Sequence, residues 1–216
     1  MRAIWLLTLF LVAIGVAIVI RRASHILAPP AAPPGFPEAA ALDEGFARHP
    51  LLTMLHIIPG LLFVVLGPLQ FIPGLRSRKP RLHRWTGRAV LASGAIVGTT
   101  ALVMSPQMAI GGVSETAATM LFAILFLFAL TRAFLLIRRG SVALHREWMV
   151  RAFAIGLAVA SIRPIVGIFF ATSRLTHLTP HDFFGAAFWL GFTTTLLATE
   201  AWVRYVERHQ SGTFVR

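Results

Sequence analysis

Six long apolar stretches dominate this sequence, and short basic clusters border several of them. About 20 consecutive apolar residues are enough to cross the hydrocarbon core of a bilayer as an α-helix. The pattern therefore predicts an all-α, multi-pass transmembrane helical bundle with six spans, the first of which is an N-terminal anchor. The predicted spans are residues 4–20, 51–72, 88–104, 117–137, 150–172 and 183–202.

The spans divide the chain into four parts. We predict an N-terminal transmembrane anchor over residues 1–22, a Pro-rich external loop over 23–50 with room for one short surface helix, a five-span bundle over 51–204 and a cytosolic tail over 205–216. The first apolar run is longer than the core of a secretory signal, which is about 7–15 residues, and this favours a retained anchor. Cleavage near Ala28 to Ala32 is the alternative.

Composition limits the functions that this chain can have. Hydrophobic residues make up 56% of its 216 residues, and the formal net charge is +12. Because the Lys and Arg residues lie beside apolar runs, we attribute the charge to membrane orientation and not to nucleic-acid binding. The sequence has no Cys, which excludes disulfides, thiolate metal sites and iron–sulfur clusters. A metal or a haem would need His, Met or oxygen ligands.

The distribution of basic residues predicts the orientation in the membrane. If residues 75–88 lie in the cytosol, fourteen Lys and Arg residues fall on the inner side and four on the outer side. Cytosolic loops of membrane proteins carry such an excess. We therefore predict a protein of the cytoplasmic (inner) membrane with both termini in the cytosol. Arg21 and Arg22 are the local exception, because they follow the first span on the outer side.

A short sequence occurs twice, each time before an apolar run. Residues 82–89 read Leu-His-Arg-Trp-Thr-Gly-Arg-Ala, and residues 144–152 repeat this order with one insertion as Leu-His-Arg-Glu-Trp-Met-Val-Arg-Ala. His83 and His145 occupy equivalent places in the two copies. If the two halves pack as the repeat suggests, we expect the two imidazoles to approach each other at the cytosolic face.

Motifs between residues 51 and 170 form a moderately specific set. They are His56-x-x-x-Gly60, Leu66-Gly67-Pro68-x-Gln70-Phe71, His83-Arg84-x-x-Gly87-Arg88, His145-Arg146-x-Trp148-Met149-x-Arg151 and Arg163. The set resembles a bacterial family of multi-pass "predicted membrane proteins" (domain of unknown function 2306), which has no assigned activity. The resemblance implies a compact helical bundle in the cytoplasmic membrane. The layout is also distantly similar to that of diheme b-type membrane cytochromes, without a shared motif.

Two polar residues are predicted to lie in the outer half of the membrane. Arg163 lies about 18 Å from the inner end of its span, and His56 about 8 Å from the outer end of its own. An arginine costs about 2.5–3.5 kcal/mol in a span on insertion scales, so we expect Arg163 to face the bundle interior or a wet cavity. In one interpretation the two line a pocket for a haem propionate, a lipid phosphate or a substrate carboxylate. In the other, Arg163 bonds to helix carbonyls freed by Pro164 or Pro59.

The histidines suggest cofactor sites. A bis-His haem b could use His83 with His145, and His56 with His177 or His181 on the outer side. The alternative is that interfacial His residues contact phospholipid headgroups or helix ends. His177 and His181 are also candidate metal ligands, although no third ligand is evident nearby.

Other polar and small residues are predicted to join helices. Arg132 and Glu200 lie at matching depth and are candidate ion-pair partners, although each also has an alternative near the interface. The spacing of Gly94 and Gly98 indicates close approach of another helix. We expect the threonines at 99–100 and 193–195 to form interhelical hydrogen bonds.

Two classes of function follow from these residues. The first is a membrane protein that binds a ligand or cofactor, either a b-type cytochrome-like electron carrier or a quinone or lipid binder. The second is a noncatalytic accessory subunit of a larger membrane complex, and a small transporter is the third interpretation. No catalytic motif is recognisable, so we do not predict an enzyme. Membrane lipid is the predicted partner, together with other membrane-protein subunits in the accessory interpretation.

Overall fold

The computed structural model describes residues 2–28 and 37–211. These ranges contain helices and short connections and no β-strand, so the all-α prediction is confirmed. The helices are α1 (Arg2–Leu27), α2 (Pro37–Arg48), α3 (Pro50–Leu66), α4 (Pro73–Arg78), α5 (Pro80–Met108), α6 (Gly112–Arg138), α7 (Val142–Thr176) and α8 (Pro180–Ser211), with a 3-10 turn at Pro68–Phe71.

Five helical segments are long and apolar enough to cross a membrane. They are Arg2–Leu27, Pro50–Phe71, Pro80–Met108, Gly112–Arg138 and Val142–Thr176. The helix α8 corresponds to the sixth predicted span but is not among them. The structure therefore supports a membrane protein with several spans.

The connections between the long helices are shorter than predicted. The predicted loops at residues 105–116 and 173–182 reduce to residues 109–111 and 177–179, and the basic stretch at 75–88 is mostly helical in α4 and α5. Polar residues continue the helices because a helix satisfies its backbone hydrogen bonds internally. Gly112 (φ 59°) and Gly140 (φ 77°) adopt the left-handed conformation that reverses the chain in three residues.

These tight turns make consecutive long helices antiparallel. The starts of α5 and α7 therefore lie with α4 and the end of α6 at one end of the bundle, which we call the α4 end. The starts of α3, α6 and α8 lie with α2 and the end of α1 at the other, which we call the α2 end. The repeated sequence is thus found at the α4 end in both copies, at the first turns of α5 and α7.

The N-terminal helix is part of the bundle. It packs against α3 and α7, and Leu11, Val12 and Ile14 contact the buried core. The short helix predicted in the external loop is α2, and residues 29–36 lie outside the described residues. The predicted tail begins as the helical end of α8, while residues 212–216 lie outside the description.

Phenylalanine and leucine side chains occupy the space beside glycines in the core. Phe63 of α3 is 1% exposed and meets Phe126 of α6 edge to face at 5.4 Å between ring centroids. A Cβ added to Gly94 would lie 2.9 Å from a Leu130 methyl carbon, and one added to Gly98 would lie 2.5 Å from a methyl carbon of Leu127. The predicted close approach at these two glycines is therefore confirmed, and α6 is the partner helix.

Candidate functional site

Arg163 carries an unsatisfied buried group. It lies on α7, thirteen residues before the last residue of that helix, in the half of the bundle nearer the α2 end. Its Nε is buried and has no hydrogen-bond partner. No hydrogen bond or ion pair within 4 Å joins Arg163 to any other residue in the described ranges, and no helix carbonyl there accepts from it. A buried N–H group without an acceptor costs about 1–3 kcal/mol.

Three charged groups surround Arg163 at electrostatic range. They are Glu115 near the start of α6 and Arg21 and Arg22 near the end of α1. The two α1 arginines and Arg163 come from segments more than 140 residues apart in sequence. The packing of α1 against α7 therefore brings three guanidinium groups together at the α2 end.

Asp43 of α2 holds the two arginines of α1. Its side chain is 1% exposed, and its carboxylate accepts hydrogen bonds from Arg21 Nη2 at 2.6 Å and Nη1 at 3.2 Å, and from Arg22 Nη1. The Arg22 guanidinium also lies 3.9 Å from the ring centroid of Phe46. His25 Nδ1 is 3.9 Å from the same carboxylate. Both oxygens of Asp43 are thus engaged by α1, and this pairing docks α2 over the end of α1.

Glu115 is largely committed to the backbone. The residue is 7% exposed, and its Oε2 accepts hydrogen bonds from the N–H groups of Ile110 at 2.8 Å and Gly111 at 2.7 Å. These bonds stabilise the connection between α5 and α6, where backbone donors would otherwise be unpaired. We call the five side chains of this region the outer charge cluster, after the side on which the predicted orientation places it: Arg21, Arg22, Asp43, Glu115 and Arg163. Three positive groups in it face two negative ones.

His56 and Arg163 are not joined by a contact. His56 Nδ1 lies 2.8 Å from Thr100 Oγ1 on α5, and that hydroxyl lies 2.7 Å from the Ile96 carbonyl oxygen. Since the hydroxyl donates to the carbonyl, the imidazole nitrogen must donate to the hydroxyl. The predicted interhelical role of Thr100 is confirmed, and His56 ties α3 to α5.

His83 and His145 are brought together at the α4 end. They lie within electrostatic range of each other, near Arg76 and Arg84. His145 Nδ1 lies 2.8 Å from the carbonyl oxygen of Ala133, whereas His83 Nδ1 is buried without a partner. In a haem pair each ring usually donates its second N–H to an acceptor, which His145 does and His83 does not.

Haem ligation at this pair stays a prediction, and an optical spectrum tests it. A Soret band in the purified protein that disappears in the His83→Ala/His145→Ala variant would establish ligation. A folded protein without that band would leave both residues as helix contacts.

His177 and His181 lie at the α2 end, and their role as metal ligands stays a prediction. His177 ends α7 in a left-handed conformation (φ 56°), and its N–H bonds to the Ser173 carbonyl at 2.8 Å. His181 lies over Gly112, and both histidines are exposed. No group of three or more His, Asp or Glu side chains that could hold a metal occurs among the described residues.

The predicted pair of Arg132 and Glu200 is wrong. Glu200 of α8 accepts two hydrogen bonds from Arg151 of α7, at 2.6 Å from Nε and 3.1 Å from Nη2. Arg132 instead lies 5.7 Å from the ring centroid of Trp148. Arg151 lies nine residues into α7 and Glu200 eleven residues before the end of α8, so their depths match, but depth alone does not distinguish Arg151 from Arg132.

Comparison with known proteins matches residues 53–203 to a family described as predicted membrane protein (DUF2306). The match includes His56, His83, His145 and Arg163, whereas the residues that α1 and α2 contribute to the outer charge cluster precede it. No curated protein and no solved structure matches the chain. Since residues 53–203 make up more than half of the 216 residues, this chain belongs to the DUF2306 family of predicted membrane proteins.

Proposed function

We propose that this integral membrane protein binds an anionic group, a carboxylate or a phosphate, at Arg163 in the outer charge cluster. The observation that carries the proposal is that the Arg163 Nε is buried and has no acceptor. Two further guanidinium groups, those of Arg21 and Arg22, lie within electrostatic range of Arg163. A planar guanidinium matches the geometry of a carboxylate or a phosphate through paired N–H donors. An anion at this position supplies the missing acceptor.

Charge balance supports the same conclusion. Asp43 is engaged by Arg21 and Arg22, and one oxygen of Glu115 is engaged by backbone N–H groups. The cluster therefore keeps an excess of one positive charge; Arg21 is exposed, whereas the Arg163 Nε is buried without an acceptor. An uncompensated charge in such a place is costly, and a bound anion removes that cost.

The orientation that we propose places the α2 end outside the cell and the α4 end in the cytosol, as the distribution of basic residues predicts. In this topology α1 is the first span and α8 the sixth, and both termini are cytosolic. The 32 residues of α8 measure about 48 Å, which exceeds the membrane core of about 30 Å. Threonine hydroxyl groups lower its hydropathy, and that of Thr195 lies 3.0 Å from the Ser161 hydroxyl of α7 within the bundle.

The experiment compares two sources of the anion. The full-length protein is purified in a neutral detergent, and its unfolding temperature is measured with added sodium phosphate or sodium succinate. In parallel it is reconstituted in nanodiscs of phosphatidylcholine with or without phosphatidylglycerol. Stabilisation by the soluble salts indicates a free anion, and stabilisation by phosphatidylglycerol alone indicates a lipid headgroup.

The variants Arg163→Leu and Arg174→Leu make a matched pair for this experiment. Arg174 lies on the same helix and is exposed, so its removal should leave the stabilisation intact. We expect Arg163→Leu to abolish it. Equal stabilisation of both variants and the parent, or none with any of the anions, would refute the proposal. A fixed stoichiometry with another membrane protein in that second case would instead support the accessory-subunit interpretation.

A further inference from the structure

A cavity lies on the other side of the bundle midplane from the outer charge cluster. It is a groove of about 360 Å³ between α6, α7 and α8 that opens to the surface of the bundle. Its volume lies within the range of about 300–1,000 Å³ that is usual for small-molecule sites. Trp148, Arg151 and Glu200 line one part of it, and Leu125, Ile155 and Leu196 line another.

The polar and apolar parts of this groove are separated along the bundle axis. Ile155 follows Arg151 by one helical turn on α7, and Leu196 precedes Glu200 by one turn on α8. Because α7 and α8 are antiparallel, both apolar residues lie on the same side of the ion pair, toward the bundle centre. The polar part of the groove thus lies toward the α4 end and its apolar part toward the membrane interior. This arrangement matches a ligand with a polar head and an apolar chain.

The charges at the polar part favour a neutral head. Arg151 makes two hydrogen bonds with Glu200, and its Nη1 lies 3.8 Å from the Glu147 carboxylate. Arg151 and Glu200 are the charged residues that line the groove, and their charges cancel, so the lining has no excess positive charge for a phosphate head. The distance of 3.8 Å is too long for a hydrogen bond, so Nη1 remains available to donate to an uncharged acceptor such as a carbonyl oxygen.

The side walls of the groove are aromatic. Phe128 meets Trp148 edge to face at 5.4 Å between ring centroids, and both line the cavity. Phe128 is 52% exposed, so it forms the open side of the groove. Because these two rings are in contact, they form one aromatic surface, on which a flat ring can pack.

We propose that this groove binds a prenylquinone, with a head carbonyl accepting a hydrogen bond from Arg151 and the prenyl chain passing along Leu196 and Ile155 toward the bilayer centre. The site is independent of the anion site at Arg163, because no residue is shared between them. Binding does not require the quinone to be reduced or oxidised by this chain.

Photolabelling with an azidoquinone tests the proposal. The full-length protein in phosphatidylcholine nanodiscs is labelled, digested and mapped by mass spectrometry, with decylubiquinone as competitor. We expect labelled peptides from residues 148–155 of α7 and 196–200 of α8, and loss of the label when decylubiquinone is added. Labelling spread along all lipid-facing helices, or label that decylubiquinone does not displace, would overturn the proposal.

Two matched pairs of variants sharpen this test. Leu196→Phe fills the groove, whereas Leu197→Phe changes the next residue, which is 63% exposed on the outer surface of α8. Phe128→Ala removes an aromatic wall, whereas Phe134→Ala removes a ring that is 45% exposed on the same helix and outside the groove. We expect the concentration of decylubiquinone for half displacement to rise about tenfold in the first member of each pair only.

The second pair keeps the test decisive if Leu196→Phe does not fold, because Phe128→Ala removes a partly exposed side chain. An unchanged concentration for half displacement in Phe128→Ala would refute binding at this groove. Equal changes in both members of a pair would show an effect of the lipid-facing surface instead.

Discussion

Replacing Asp43 with Asn should release α2 from the bundle. The substitution keeps the size of the side chain and one acceptor oxygen, but it removes the negative charge that Arg21 and Arg22 share. Because Arg22 is only 7% exposed, its buried charge loses the carboxylate that faces it. Breaking a buried ion pair by removing one partner costs about 3–5 kcal/mol. Arg21 is 56% exposed and remains hydrated, so we expect a loss at the lower end, about 3 kcal/mol.

Glu44 gives a control within the same helix. It pairs with Arg48 at 2.5 Å, which is close to the 2.6 Å between Arg21 and Asp43, but Glu44 is 61% exposed and Arg48 is 69% exposed. An exposed ion pair contributes about 0–1 kcal/mol, so Glu44→Gln should change little. Bond length is matched in this comparison and burial is not.

Hydrogen exchange of the α2 amides is the appropriate assay, because α2 can undock while the long helices stay folded. A loss of about 3 kcal/mol increases the opening constant of α2 by about 100-fold, and the Glu44→Gln variant should exchange at nearly the parent rate. Similar exchange in both variants would refute the argument, since it would show that burial of Asp43 does not determine its contribution.

Two further predictions concern the packing of the long helices. Gly98→Ala should destabilise the bundle by about 1–3 kcal/mol in reversible unfolding in SDS micelles, because the new methyl group meets Leu127 at 2.5 Å. A methyl group at Gly167 would have no such atom within 4 Å, so Gly167→Ala should be neutral or stabilising in the same assay. In double-variant cycles measured the same way, Arg151→Leu and Glu200→Leu should show a coupling free energy of about 1.5–3 kcal/mol. The effects of Arg132→Leu and Glu200→Leu should be additive. A larger coupling for Arg132 than for Arg151 would restore the pair predicted from sequence.

The helices and their closest contacts could be predicted from sequence because they depend on local patterns. An apolar run of span length has few alternatives to a helix, and the spacing of Gly94 and Gly98 places both on one face. Which helix occupies that face could not be predicted, because it depends on tertiary packing. The same limit explains the error at Glu200, for which Arg132 and Arg151 lie at similar depth on neighbouring helices.

The outer charge cluster was only partly predictable. Arg163 is conspicuous as an arginine inside an apolar run, but Asp43 belongs to a polar, Pro-rich segment in which burial has no sequence signature. One signal was present, since Arg21 and Arg22 are the local exception to the orientation that the basic residues predict. The buried carboxylate of Asp43 explains how two arginines are tolerated at that end of α1.

The excess charge that the proposed anion would neutralise comes from the N-terminal part of the chain. Within the family match, Arg163 and Glu115 supply one charge of each sign. The segment before it supplies Arg21 and Arg22 against Asp43 alone. Anion binding should therefore depend on α1 as well as on α7, because removing either α1 charge makes the cluster neutral. Arg21 is the more informative of the two, since its exposed side chain can be changed while Arg22 still holds Asp43 in place.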